Sequence, residues 1–127
     1  MTNKKILRPE RLRQVPAQFS WVDQRLVRDN FLRRAEPAAW ALYLVLVTVA
    51  DAQGLSYYSD ATLSRLLKMA AGQLAGARQQ LVAADLVTYQ PPLYQVLALP
   101  AAAAVPSPRV GEALSVGDLL RRLGGAA

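Results

Sequence analysis

The side chains in this sequence best suited to chemistry are cations, and the chemistry they suit is the binding of phosphate. Lys4, Lys5, Arg8, Arg11 and Arg13 crowd one short segment that also holds Pro9 and Pro16. The stretch reads as an extended basic arm over residues 1–18, and two readings of it stand. It is either a solvated tail that keeps the chain soluble, or a line of cations laid along a nucleic-acid backbone or minor groove. Arg65, Lys68 and Arg78 form a second, sparser group, interleaved with Gln73, Gln79 and Gln80. Glutamine can meet adenine with two hydrogen bonds in the major groove, so these amides are candidates for reading bases. These eleven residues make up the candidate nucleic-acid-binding set.

What the chain lacks narrows the field. There is no histidine and no cysteine, which removes the commonest general base, the thiol nucleophile, disulfides and the usual zinc ligands. The acidic residues are scattered, and Asp51, Asp60 and Asp85 fall at expected helix boundaries where capping or turn formation accounts for them. No glycine-rich loop of the phosphate-cradling kind is present. The expectation is a protein that is not an enzyme, with no catalytic residue, metal, cofactor or small-molecule substrate. The missing cysteines suit a reducing cytoplasm, and no signal peptide is evident. The apolar run from Ala38 to Ala50 is shorter than the ~20 residues that cross a bilayer, so no membrane partner is expected and the run reads as a buried helix.

The formal charge is +6 with a pI near 10.2, and its distribution matters more than its size. Residues 1–34 hold nine Lys or Arg against three acids, residues 35–99 three against four, and residues 100–127 three against two. The excess lies at the N-terminal end. A chain of 127 residues with 53% hydrophobic content has the material for one folded domain plus tails. The expected division is a basic arm (1–18), a folded domain (19–99), an Ala/Pro linker (100–108) and a tail (109–127).

These groups need a scaffold, and the pattern between them supplies one. Phe19-Ser20-Trp21-Val22 reads as a short β-rich piece whose aromatics are lids on the core, with Asp23 capping a short helix from about Gln24 to Arg28. Pro37 opens a helix that runs to Asp51, with Trp40, Tyr43, Leu44, Val47 and the Leu42, Leu46, Val49 stripe expected to supply the core. Gly54 ends that segment, and Leu55 to Tyr58 reads as a strand. Ser59 or Asp60 caps a helix from Ala61 to Leu67 with Leu63, Leu66 and Leu67 on its apolar face, while Ser64, Arg65 and Lys68 point outward. After a turn at Lys68 to Ala71, a second helix runs to about Ala84. Its inner side is Leu74, Ala77 and Leu81, and its outer side is Gly72, Gln73, Gly76, Gln79, Gln80 and Ala83. Two glycines in a helix cost about 1 kcal/mol each, which suggests that another backbone approaches closely there. Leu86 to Tyr89 and Leu93 to Leu99 form two strands joined through Gln90-Pro91-Pro92, and Ser115 to Leu123 reads as a short amphipathic helix in the tail.

Leu74, Ala77-Arg78, Leu81 and Asp85-Leu86-Val87 resemble the helix-to-wing signature of winged-helix regulators and of the winged-helix modules of DnaD-like and plasmid replication-initiation proteins. Phe19-Ser20-Trp21, Ala41-Leu42-Tyr43-Leu44 and Gly54-Leu55-Ser56 are similar to the replication-type modules and to short proteins of bacterial mobile elements. The resemblance covers residues 16–99. It implies an α+β fold, a mostly helical winged helix-turn-helix with a small β-hairpin wing, and a double-stranded DNA partner. It also implies a role in replication or mobile-element control in a bacterial cytoplasm, with a candidate homodimer. Two departures stand out. The outer face of the second helix carries Ala75, Gly76, Gln79 and Gln80 where such proteins commonly carry cations, and Asp85 stands in place of a hinge glycine. The alternative is a protein-interaction module, in which the Gly72, Gly76 and Ala83 face admits another helix and no DNA is read.

Overall fold

Pro37 and Gly54 bracket the helix around which the fold is built. In the computed structural model, which describes residues 4–100, this helix (α2) spans Pro37–Val49. Proline fits its first turn because an N–H there would have no intrahelical acceptor. A short helix, α1 (Arg25–Arg28), and a 3-10 turn (Phe31–Arg34) precede it. The Asp23 carboxylate accepts the Arg25 N–H at 2.8 Å, but the residue at the N-cap of α1 is Gln24, which makes no side-chain cap bond. Beyond Gly54 come β1 (Leu55–Tyr57), α3 (Asp60–Leu67), α4 (Ala71–Ala83), β2 (Val87–Gln90) and β3 (Leu93–Val96). The result is an α+β fold in which three antiparallel strands, in the order β1-β3-β2, close one side of a helical core. Among the described residues no helix is long and apolar enough to cross a membrane.

The core follows from helical spacing. Ala39, Leu42, Tyr43 and Leu46 lie on one side of α2 and pack chiefly on Leu74, Ala77 and Leu81 of α4, with Leu63 from α3 and Leu86, Val87 and Tyr94 from the hairpin completing the cluster. Gly54 joins this cluster to the sheet. Its φ is +86°, and a Cβ at that position would lie 2.6 Å from the Val96 carbonyl oxygen. The Val96 N–H donates to the Gly54 carbonyl at 2.8 Å, so the exit of α2 is bonded to the end of β3.

Several expectations need correction. Phe19 to Val22 forms no strand, because the sheet is complete without it and an isolated extended segment has no ladder to join. Its aromatics are not core lids: Phe19 is 66% exposed and Trp21 75%. Leu44 and Leu66 are exposed as well. A helix apolar on nearly every side can bury only the sides that meet a neighbour, and Leu44 lies opposite α4. The α3 face narrows to Leu63 with Leu67 partly covered. The last strand stops at Val96, although the Leu97 N–H still reaches the Leu86 carbonyl and Leu99 is buried. The linker at 101–108 and the amphipathic segment at 115–123 lie outside the described residues.

Replacing fully buried Leu46 by alanine should cost about 2–5 kcal/mol in urea unfolding, whereas Leu44→Ala should stay within about 0.5 kcal/mol. Gly54→Ala should cost more than about 1 kcal/mol, because both its φ and the Val96 carbonyl oppose a side chain.

Candidate nucleic-acid interface

The pair α3–α4 is set by its capping. The Ser59 hydroxyl accepts the Thr62 N–H at 3.1 Å and opens α3. Lys68 closes it at φ 56°, with both the Lys68 and Met69 N–H groups donating to the Ser64 carbonyl. Met69 is buried and anchors the turn, which leaves the Lys68 side chain in solvent beside exposed Arg65. No side chain caps α4, so the first N–H groups of that helix stand open next to Lys68. Open N–H groups and a neighbouring cation both favour an anion.

The outer side of α4 is bare. Gly72, Gln73, Ala75, Gly76, Gln79 and Ala83 are exposed, and a Cβ added at Gly72 or Gly76 would meet nothing within 4 Å. The expected close approach of another backbone to these glycines is therefore not made among the described residues. α4 ends where Asp85 adopts φ 65° and the Leu86 N–H donates to the Leu81 carbonyl at 3.0 Å. That is a left-handed cap of the kind usually given to glycine. Aspartate tolerates it better than most side chains do.

Arg78 and Gln80, both in the candidate set, are engaged inside the fold. Arg78 donates to Asp60 Oδ1 and to the Tyr94 hydroxyl, each at 2.8 Å, and its guanidinium lies 4.4 Å from the centre of the Tyr89 ring. Only 14% of its side chain is exposed. Burial opposes its charge, but the bonds from Asp60 and Tyr94 outweigh that and hold its pKa above the ordinary arginine range. Desolvation raises the Tyr94 phenol, against the opposing pull of Arg78. One guanidinium thus joins α3, α4 and the hairpin. Gln80 Oε1 accepts the Glu36 N–H at 2.6 Å, which ties α4 to the start of α2.

That bond also locates cations not in the candidate set. Arg33 and Arg34, both exposed, lie three and two residues before Glu36, whose N–H is the one bonded to α4, and Arg34 is stacked 4.2 Å from the Phe31 ring centre. The charge count is the signal that points toward them, since residues 1–34 hold nine cations and the arm uses five, leaving Arg25 and Arg28 besides these two. The arm itself is exposed throughout its described length, with one 3-10 turn (Pro9–Arg11) and an Arg8–Glu10 pair at 3.0 Å. Among the described residues, Lys4, Lys5, Arg11 and Arg13 form no ion pair with the fold. The hairpin tip, Pro91-Pro92, is exposed and uncharged.

No protein-family model, curated protein or solved structure matches this chain.

Arg78→Ala should destabilise the fold by about 1.5–3 kcal/mol, the cost of stranding a hydrogen bond to a charged group. Most of that loss should fall on the Tyr94 side, since the Asp60 side chain is 53% exposed and can return to water. Gln79→Ala should be silent to within about 0.5 kcal/mol, and thermal unfolding of the two variants side by side tests the difference.

Proposed function

We propose that this chain is a small winged helix-turn-helix protein that binds double-stranded DNA, presenting α4 to the major groove and gripping phosphates with its arm. The order helix, strand, helix, turn, helix, hairpin supports the winged-helix reading, with α2, α3 and α4 as its three helices and β2–β3 as the wing. The observation that carries the proposal is the open outer side of α4. It is uncapped at its start, carries exposed Gln73 and Gln79, and has Lys68 and Arg65 at its approach. Small side chains there let the helix sit deep in a groove, and two amides remain for base contact. Phosphate neutralisation falls to the arm and to Lys68, Arg65, Arg33 and Arg34, because Arg78 is already matched. The fifteen residues from Lys4 to Gln18 reach up to roughly 50 Å when extended, enough to follow a backbone away from the domain. The proposed setting is replication or mobile-element control in a bacterial cytoplasm.

One observation favours a second reading. The open space over Gly72 and Gly76 would also admit a helix of a second copy or of a partner protein. The two readings compete for one surface.

Fluorescence anisotropy with a labelled duplex across a salt series tests the proposal. Affinity should fall steeply with salt, and deleting residues 1–18 should flatten the slope by roughly 0.9 for each phosphate that the arm no longer neutralises. Equal binding with and without the arm would refute the mechanism, and a salt-insensitive dimer by light scattering would favour the protein-interaction reading. Lys68→Gly separates stability from binding. Relief of the left-handed backbone should raise stability by up to about 1 kcal/mol, while DNA affinity drops.

A further inference from the structure

Leu44 is 61% exposed at the middle of α2. No charged residue lies anywhere in this helix, and its side opposite α4 carries Pro37, Ala41, Leu44 and Thr48 at helical spacing. Apolar neighbours extend that side at both ends. The Trp40 indole N–H donates to the Leu32 carbonyl at 3.0 Å, which brings exposed Leu32 beside the start of the helix. At the other end the Thr48 hydroxyl donates to the Leu44 carbonyl at 2.7 Å, and the Thr48 carbonyl accepts the Ser20 hydroxyl at 3.2 Å. That bond sets exposed Phe19 and Trp21 beside the last turns of α2. A continuous apolar face of this kind marks an interaction surface.

The charges around the face lie at its two ends. Arg33, Arg34 and Glu36 precede α2, two guanidinium groups against one carboxylate, and none of them forms an ion pair among the described residues. At the far end Asp23 pairs with Arg25 at 2.8 Å and also faces Arg28, while Arg25 also faces Asp29, so these four balance. Asp51 is left over. Its Oδ1 accepts the N–H groups of Gln53 and Leu55, but it too forms no ion pair among the described residues, and the last turn of α2 holds no cation. The arm joins at Phe19, with its nearest cation, Arg13, six residues upstream. One end of the face is thus positive and the other negative.

We infer that this face of α2 pairs with the same face of a second copy, antiparallel, across a two-fold axis through Leu44. An uncharged face with ends of opposite sign is complementary to itself when reversed, whereas the rest of a chain of net charge +6 repels its own copies. In this arrangement Leu44 meets its counterpart, Trp40 meets Thr48 of the second copy, and Arg33 and Arg34 lie near Asp51 of the second copy. One carboxylate against two guanidinium groups leaves positive charge for phosphate. Leu32, Leu44, Phe19 and Trp21 leave on the order of 500 Å² uncovered on each copy, so pairing buries roughly 1,000 Å², the lower bound of a specific interface. The dimer is therefore weak and dissociates on dilution. Because α2 lies between this face and α4, both α4 surfaces stay open and point away from each other. The pairing does not depend on what α4 binds.

Sedimentation equilibrium of the full chain, from micromolar to millimolar concentration, should show its mass double. Leu44→Asp should raise the dissociation constant at least roughly ten-fold, because it sets two like charges together on the axis. Where both chains are monomeric their urea unfolding should coincide, since Leu44 lies outside the core. The chain has no cysteine, so Leu44→Cys gives an independent reading. Under mild oxidation it should form a cross-linked dimer faster than Gly76→Cys on the exposed side of α4, and equal rates count against the pairing. A chain that stays monomeric throughout overturns the proposal. A dimer that survives Leu44→Asp overturns it too, and if Gly76→Glu then breaks that dimer, the interface is the α4 surface of the protein-interaction reading.

Discussion

The contact between α2 and α4 sets everything else in this molecule. Leu74, Ala77 and Leu81 are spent against Leu42, Tyr43 and Leu46, and once that stripe is buried the orientation of α4 has no freedom left. Gly72, Gly76, Gln79 and Ala83 must then face water, because 100° per residue puts them opposite. The exposed surface of α4 is a by-product of core packing. Its neutrality is a property of the residues that happen to ride on it.

A single guanidinium then fixes the neighbours of that helix. Arg78 sits on the flank of α4 and joins Asp60 at the start of α3 to Tyr94 in the middle of β3, with Tyr89 of β2 beneath it. On the opposite flank Gln80 holds the start of α2. Both side chains sit between the buried and outer sides of the helix, where a polar group can reach a partner on another element. Arginine suits the first place because its planar fork can serve a carboxylate and a phenol at once while stacking on a ring. The domain therefore consumes the one cation of α4, and the exposed cations at its approach are Lys68 and Arg65.

The elements are legible in the residues because each rests on a local rule. Pro37 at a first turn, Ser59 as a cap, Gly54 at positive φ, and leucines spaced by three and four residues locate four helices and three strands to within a few positions. Local rules do not say which side of an all-apolar helix meets a neighbour, and so periodicity places Leu44 and Leu66 in a core that they do not join. Nor do they supply a pairing edge, and so the β-rich composition of Phe19 to Val22 yields no strand. At the candidate interface, sequence alone determined the arm, the bare outer side of α4 and the lack of histidine and cysteine. Tertiary structure alone decided that Arg78 and Gln80 are taken, that the Glu36 N–H just after Arg33 and Arg34 is tied to α4, and that Phe19 and Trp21 stay exposed. Hydrogen bonds between residues 16 to 44 positions apart decide whether a polar side chain is free, and no periodicity along the chain encodes such a meeting.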